Sequence, residues 1–165
     1  MKFVDNLLDQ NAFDELQRFF LGSDFDWRYN SIIDSSEDEG KFQFVHTFYK
    51  GNISYSPFIE RLNPIFKILN PISLMRIKAN LITKTPHCVV NKFHSDIDGI
   101  DPDKIKQLTT SIFYLNTNNG YTEFQDGTKV ESVANRILTF PANLKHRGTS
   151  CTDSNIRVVI NFNYF

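Results

Sequence analysis

The chain has 165 residues, 41% hydrophobic and 22% charged, with a formal net charge of −1. This is enough chain to bury a sizeable core, and the composition is that of one folded domain, taken as residues 1–165. Acids and bases are interspersed, so there is no broad basic footprint and nucleic acid is not expected as a partner. The opening MKFVDNLLDQ places Asp5 and Asp9 where a signal peptide needs an unbroken apolar run, and no stretch approaches the length of a membrane span. A cytoplasmic location without a membrane partner is therefore expected. Cys88 and Cys151 are few and far apart, which suits free thiols better than a disulfide framework.

The segment NAFDELQRFFLG reads as a helix, with Asn11 as cap, Asp14 at the reciprocal capping position, Phe13, Leu16 and Phe20 on one face, and Gly22 as the stop. The acidic tract Asp34–Glu39 reads as a solvated loop. In KFQFVHTFY the alternation puts Phe42, Phe44, His46 and Phe48 on one side of a strand, with His46 as a hydrogen-bonded core histidine. SPFIERL has Ser56 as cap and Pro57 at the first helical position; Pro64 breaks the helix before IFKILN continues it, and helix ends there. From Ile72 the period is two. ISLMRIKANLIT, HCVVNKFHSD, LTTSIFYLN, YTEFQDG, KVESVANRILTFP and IRVVINFNYF give at least six strands. The reading is a mainly β jelly roll over residues 71–165, with residues 1–70 as N-terminal support whose helices pack outside.

The chemistry-bearing residues sit in that β region. His94 and Asp96 are two apart on extended chain, so both point to one side. Alone the pair is a weak signal. His146 follows an apolar strand in FPANLKHRG, and Arg157 opens the last strand. Two imidazoles and a carboxylate on one face of an octahedral ion leave three positions open, as a non-haem iron centre requires. Asp98 competes with Asp96 as a ligand but is carried into the following loop. A guanidinium on an otherwise apolar strand is costly to bury unless it meets an anion. It shares its face with Val159, Asn161 and Asn163, and Val158, Ile160, Phe162 and Tyr164 form the other face. Arg76, Lys78 and Asn80 share one face of their strand, either solvated or forming a polar pocket wall; Asn80 is the better pocket residue, since a neutral amide is cheaper to desolvate than a charge.

In the order H-x-D, H, R, the region from Leu74 to Phe165 resembles the Fe(II)- and 2-oxoglutarate-dependent dioxygenases with a double-stranded β-helix core, especially the prolyl-4-hydroxylase-like branch and its small phage-type relatives. The resemblance implies Fe(II) held by His94, Asp96 and His146, with 2-oxoglutarate and O2 as cosubstrates. Arg157 and Tyr114, the latter on SIFYLN, would hold the far carboxylate of 2-oxoglutarate, and Asn80 joins them as a cofactor-pocket residue. It also implies hydroxylation of a substrate, a peptidyl proline or a small metabolite, with release of succinate and CO2. RIKAN is similar to a strand of the phage-type members. Asn163 departs from the pattern, standing where members often carry an aromatic residue, and the spacing of eleven from His146 to Arg157 is longer than in some prolyl hydroxylases. A metal-binding cupin that does not use 2-oxoglutarate and a non-enzymatic jelly-roll binding module are the alternatives. Oligomeric state is not readable from the sequence.

Overall fold

The computed structural model describes residues 1–33, 41–97 and 99–165, so the acidic tract and Asp98 lie outside the described residues. Its strands are β1 Lys2–Val4, β2 Arg28–Asn30, β3 Gln43–Lys50, β4 Ile53–Ser54, β5 Leu74–Thr83, β6 Thr109–Tyr114, β7 Asn118–Phe124, β8 Lys129–Ser132, β9 Arg136–Pro141, β10 His146–Gly148 and β11 Ile156–Tyr164. Helices are α1 Gln10–Leu21, α2 Asn63–Leu69 and the single turn α3 Pro102–Ile105, with a 3-10 turn at Ile59–Leu62. The large sheet runs β1-β9-β6-β11-β5-β3-β2, with β4 paired to β3. A smaller sheet, β10-β7-β8, faces it. Isolated bridges Val90–Thr149 and His94–His146 bring the 90–94 stretch against β10 as an incomplete fourth member. This is the expected mainly β jelly roll, a double-stranded β-helix with helices outside.

Side-chain period two on β11 explains the layering. Val158, Ile160, Phe162 and Tyr164 join Phe13, Leu16 and Phe20 of α1, Ile65 of α2, and Phe48, Ile77 and Phe113 in one buried cluster. The opposite face of the large sheet meets the small sheet through Ile112, Tyr114, Phe124, Val130, Leu138, Phe140 and Val159. The helices thus back one face and leave the other to the small sheet and the cavity described below.

Several local expectations need correction. The cap of α1 is Asp9, whose carboxylate accepts from Ala12 N at 3.0 Å; Asn11 lies inside the helix, and Asp14 accepts instead from Gln10 Nε2. Asp9 serves as the cap because its carboxylate reaches the amide three residues on, which places Gln10 and Asn11 inside the helix. Gly22 does end it. Ser56 accepts from Phe58 N, but helical geometry starts only at Ile59, and Pro64 opens α2 instead of merely interrupting a helix, since a proline needs no N–H partner in a first turn. Helix does not end there: Asp101 caps α3 through Asp103 N and Lys104 N. Residues 87–96 are not a continuous strand, because Val89 N bonds the Ser150 hydroxyl in place of a ladder carbonyl. KVESVANRILTFP splits into β8 and β9 at Asn135, which adopts φ 62° while its side chain grips both backbone groups of Leu8. His46 is the expected core histidine, bonded to Asp26 O and Ser56 Oγ. Both cysteines are free thiols.

Candidate metal centre

The 91–96 stretch is held to β10 by Asn91 N, which donates to Gly148 O at 3.1 Å, and by a reciprocal pair at His94 and His146. His94 N donates to His146 O at 2.9 Å and His146 N donates back to His94 O at 3.0 Å, so the two backbones carry their imidazoles side by side, ring centroids 4.9 Å apart. Each ring's Nδ1 faces a backbone carbonyl, Lys92 O at 3.2 Å and Leu144 O at 3.3 Å. A carbonyl only accepts, so each Nδ1 carries the proton and each Nε2 is the unprotonated nitrogen, the form in which imidazole ligates metals. Phe140 meets the His146 ring edge-on at 4.9 Å and gives the site an apolar wall.

Asp96 joins them. One donor atom from each of His94, Asp96 and His146 falls within a 4.8 Å triangle, small enough for a single ion to bridge. Burial pushes the Asp96 carboxyl up, but Arg76 and the two imidazoles outweigh it and hold the carboxyl below the usual range. Burial lowers the His146 imidazole, favouring its neutral, ligating form. Two imidazoles and one carboxylate are a donor set suited to Fe(II), and three such ligands would leave further positions of an ion for other groups.

The triad opens on a cavity of about 220 Å³ between the two sheets. Its walls include Ile82, Ile112 and Val159, which are apolar, and Arg76, Lys78, Asn80 and Asn161, which are polar. The face Arg76–Lys78–Asn80 is therefore a pocket wall and not a solvated outer face. Arg157 lies deeper and is 3% exposed. Its Nε donates to Ser132 Oγ at 2.8 Å and its Nη2 to Thr122 Oγ1 at 3.3 Å, and it has no carboxylate in ion-pair range among the described residues. Burial lowers its pKa. Gly120 makes the space: a Cβ there would lie 2.6 Å from Arg157 Cδ. The Tyr114 phenol donates to Thr122 Oγ1 at 2.8 Å, and Thr122, not Tyr114, lines the cavity. Burial raises the phenol's pKa, so it stays a neutral donor.

Sequence reasoning gathered the triad, Arg157 and the 76–80 wall. It missed the hydroxyls of Thr122 and Ser132, which carry no pattern, and the amides of Asn161 and Asn163 as partners of Asp96. The signal for the amides was present, since both share the face of Arg157 on β11.

No protein-family model matches the sequence, and no curated protein matches it. Solved structures do. A prolyl hydroxylase from Trichoplax adhaerens, in complex with a hypoxia inducible factor oxygen degradation domain peptide fragment, aligns with TM-score 0.64 and 10% identity over 99% of this chain and 82% of that one. HygX from Streptomyces hygroscopicus, with nickel and 2-oxoglutarate bound, gives 0.62 and 11% over 98% and 81%. The viral collagen prolyl hydroxylase of Paramecium Bursaria Chlorella virus-1 gives 0.57 and 16% over 98% and 88%. The chain shares their fold along nearly its whole length.

Proposed function

We propose that the protein is an Fe(II)- and 2-oxoglutarate-dependent oxygenase that oxidises a peptide or small-molecule substrate, hydroxylation being the expected outcome. One observation carries this reading: a buried guanidinium with no carboxylate partner among the described residues faces, across one cavity, a cluster of two imidazoles and a carboxylate. A buried cation costs several kcal/mol, roughly, unless an anion joins it. The far carboxylate of 2-oxoglutarate is such an anion, and its 2-oxo acid end is a chelating group for a metal at the triad. The fold likeness agrees with this reading.

Each residue then has a defined task. His94 and His146 offer Nε2, and Asp96 a carboxylate oxygen, to Fe(II). The iron, when bound, supplies the activation of O2 coupled to oxidative decarboxylation of 2-oxoglutarate, chemistry that no side chain can perform. Ser132 and Thr122 aim the Arg157 fork, so that it meets a carboxylate in a fixed plane with little freedom left to lose. Tyr114 acts on this carboxylate through Thr122, to whose hydroxyl it donates as a neutral phenol. Ile82, Ile112 and Val159 keep water from the path between guanidinium and triad. Asn80 and Lys78 line the same cavity and offer polar contacts to the bound organic groups.

The relatives in fold span both substrate sizes: the Trichoplax enzyme was solved with a peptide fragment, and HygX also with hygromycin B. The reading is tested by incubating the protein with Fe(II), 2-oxoglutarate and O2, and measuring succinate. Metal-dependent succinate that disappears in His146→Ala and falls in Arg157→Ala supports it. Metal binding without succinate, with or without peptide and small-molecule mixtures, contradicts it and favours a cupin that does not use 2-oxoglutarate.

A further inference from the structure

Asp96 is surrounded by more donors than a metal ligand requires. Arg76 Nη2 reaches its Oδ1 at 3.0 Å and Asn161 Nδ2 reaches the same oxygen at 3.3 Å, while Asn163 Nδ2 reaches Oδ2 at 3.2 Å. Arg76 Nε also donates to Asn163 Oδ1 at 3.2 Å, closing a ring of three residues. Asn163 is fastened in turn to Thr110 Oγ1 at 3.0 Å. The ring follows from register: Arg76, Asn163 and Thr110 are directly opposite one another on β5, β11 and β6, so their side chains stand in one row on the cavity face. The Asp96 side chain is 3% exposed and that of Arg76 20%, so the ion pair is sheltered from solvent.

A carboxylate offers about four lone-pair positions, two on each oxygen. Arg76 and Asn161 take both on Oδ1, and Asn163 takes one on Oδ2. We propose that Arg76, with Asn163 and Asn161, is a clamp that positions Asp96 so that it ligates through Oδ2 alone. Arg76 is thus a positioning residue of the centre, acting through Asp96. The inference rests on the proposed metal site and extends it to three residues outside the triad.

Two effects of Arg76 oppose each other. Its charge repels a divalent ion nearby, whereas its hydrogen bonds fix the ligand and keep the buried carboxyl ionised. Loss of an outer-shell partner typically weakens metal affinity about 10- to 100-fold, so the clamp is expected to win. Charge repulsion alone would give tighter binding when Arg76 is removed.

The test uses the full chain under anaerobic conditions, titrated with Co(II) and followed by its visible absorption. Wild type, Arg76→Met, Arg76→Lys and Asn163→Leu are compared, with the folded state checked by circular dichroism. Arg76→Met and Asn163→Leu are expected to bind about 10- to 100-fold more weakly, and Arg76→Met should also change the spectrum as Oδ1, released by Arg76, reaches the ion. Arg76→Lys should rescue little, because an ammonium lacks the planar fork that serves Asp96 and Asn163 together. Asn163→Leu keeps the Arg76 charge, so it carries the test if Arg76→Met does not fold. Affinity and spectrum equal to wild type in the folded variants, or tighter binding in Arg76→Met, would overturn the clamp. A wild-type protein that takes no Co(II) would instead overturn the metal site itself, and the clamp with it.

Discussion

The two faces of β11 are built on different terms. Toward the helices, Val158, Ile160 and Phe162 are fully buried among other apolar side chains, and everything they need is supplied by the chain itself. Toward the cavity, Arg157, Asn161 and Asn163 are almost as buried but carry polar groups. Some of these are satisfied by each other and by Asp96. Others are not: among the described residues Arg157 has no acidic partner, and Asn161 Oδ1 alone is a buried side-chain acceptor without a hydrogen bond. Flipping that amide would set its oxygen against the Asp96 carboxylate, so its orientation is fixed by charge. The packed face maintains the fold, whereas the cavity face bears unmet polar groups that a bound ion and ligand would satisfy.

The strongest way to probe this difference is to damage each face in turn. Phe162→Ala should cost about 3–5 kcal/mol in denaturant unfolding, because it leaves a void beside Phe66, while the folded fraction should still bind metal as the parent does. His146→Ala should do the reverse, losing metal affinity by more than the roughly 100-fold that an outer partner is worth. Gly120→Ala comes next, since its Cβ would meet Arg157 Cδ, Asn118 Oδ1 and Ser150 O at 2.6, 2.8 and 2.9 Å. Overpacking of this kind costs about 1–3 kcal/mol, and the displaced guanidinium should weaken binding of 2-oxoglutarate in calorimetry.

Arg157→Met is the mildest substitution for stability and the most telling in sign. A buried cation with no counter-ion among the described residues is a burden to the unliganded protein, so its replacement by an apolar chain of similar length should leave stability unchanged or raise it by about 2 kcal/mol at most. The same change should abolish 2-oxoglutarate binding. A stability loss as large as that of Phe162→Ala would show that Arg157 serves the fold.

The pH response of the metal-free protein separates the faces further. Both Asp96 and His146 titrate below their unfolded values in the folded chain. The folded state therefore binds fewer protons, and stability present at neutral pH should fall as pH drops below the unfolded histidine value of about 6.5, then again below about 3.9 as Asp96 is protonated. Urea midpoints measured across pH 7.5 to 5.5 should drop, and His146→Gln should flatten the upper part of that drop.

Much of this contrast could be read from residue order alone. Period two on IRVVINFNYF separated the faces of β11, and H-x-D, H and R in sequence picked out the triad and the buried cation before any coordinates. Less legible was what depends on register. Nothing in RIKAN says that Arg76 stands opposite Asn163, because cross-strand partners 87 residues apart are set by the whole sheet. The 87–96 stretch misled because its apolar residues suit a strand, while its pairing is taken over by the Ser150 hydroxyl and reduced to two bridges. Asn135 was overlooked as a turn because its left-handed backbone is held by Leu8, far away in sequence. The Thr122 and Ser132 contacts to Arg157 depend on where a second sheet lies, which no local pattern encodes.

On the proposed function, Arg157 is kept buried to receive the far carboxylate of 2-oxoglutarate. The direct measurement is calorimetric titration of 2-oxoglutarate into the Fe(II)-loaded protein without oxygen, for wild type, Arg157→Lys and Tyr114→Phe. A bidentate charge-assisted contact is worth roughly 1.5–3 kcal/mol, so Arg157→Lys should weaken binding about 10- to 100-fold without altering iron affinity. Tyr114→Phe should weaken it less, since it removes one neutral donor and keeps the ring packing. Equal 2-oxoglutarate affinity in all three proteins would contradict the claim.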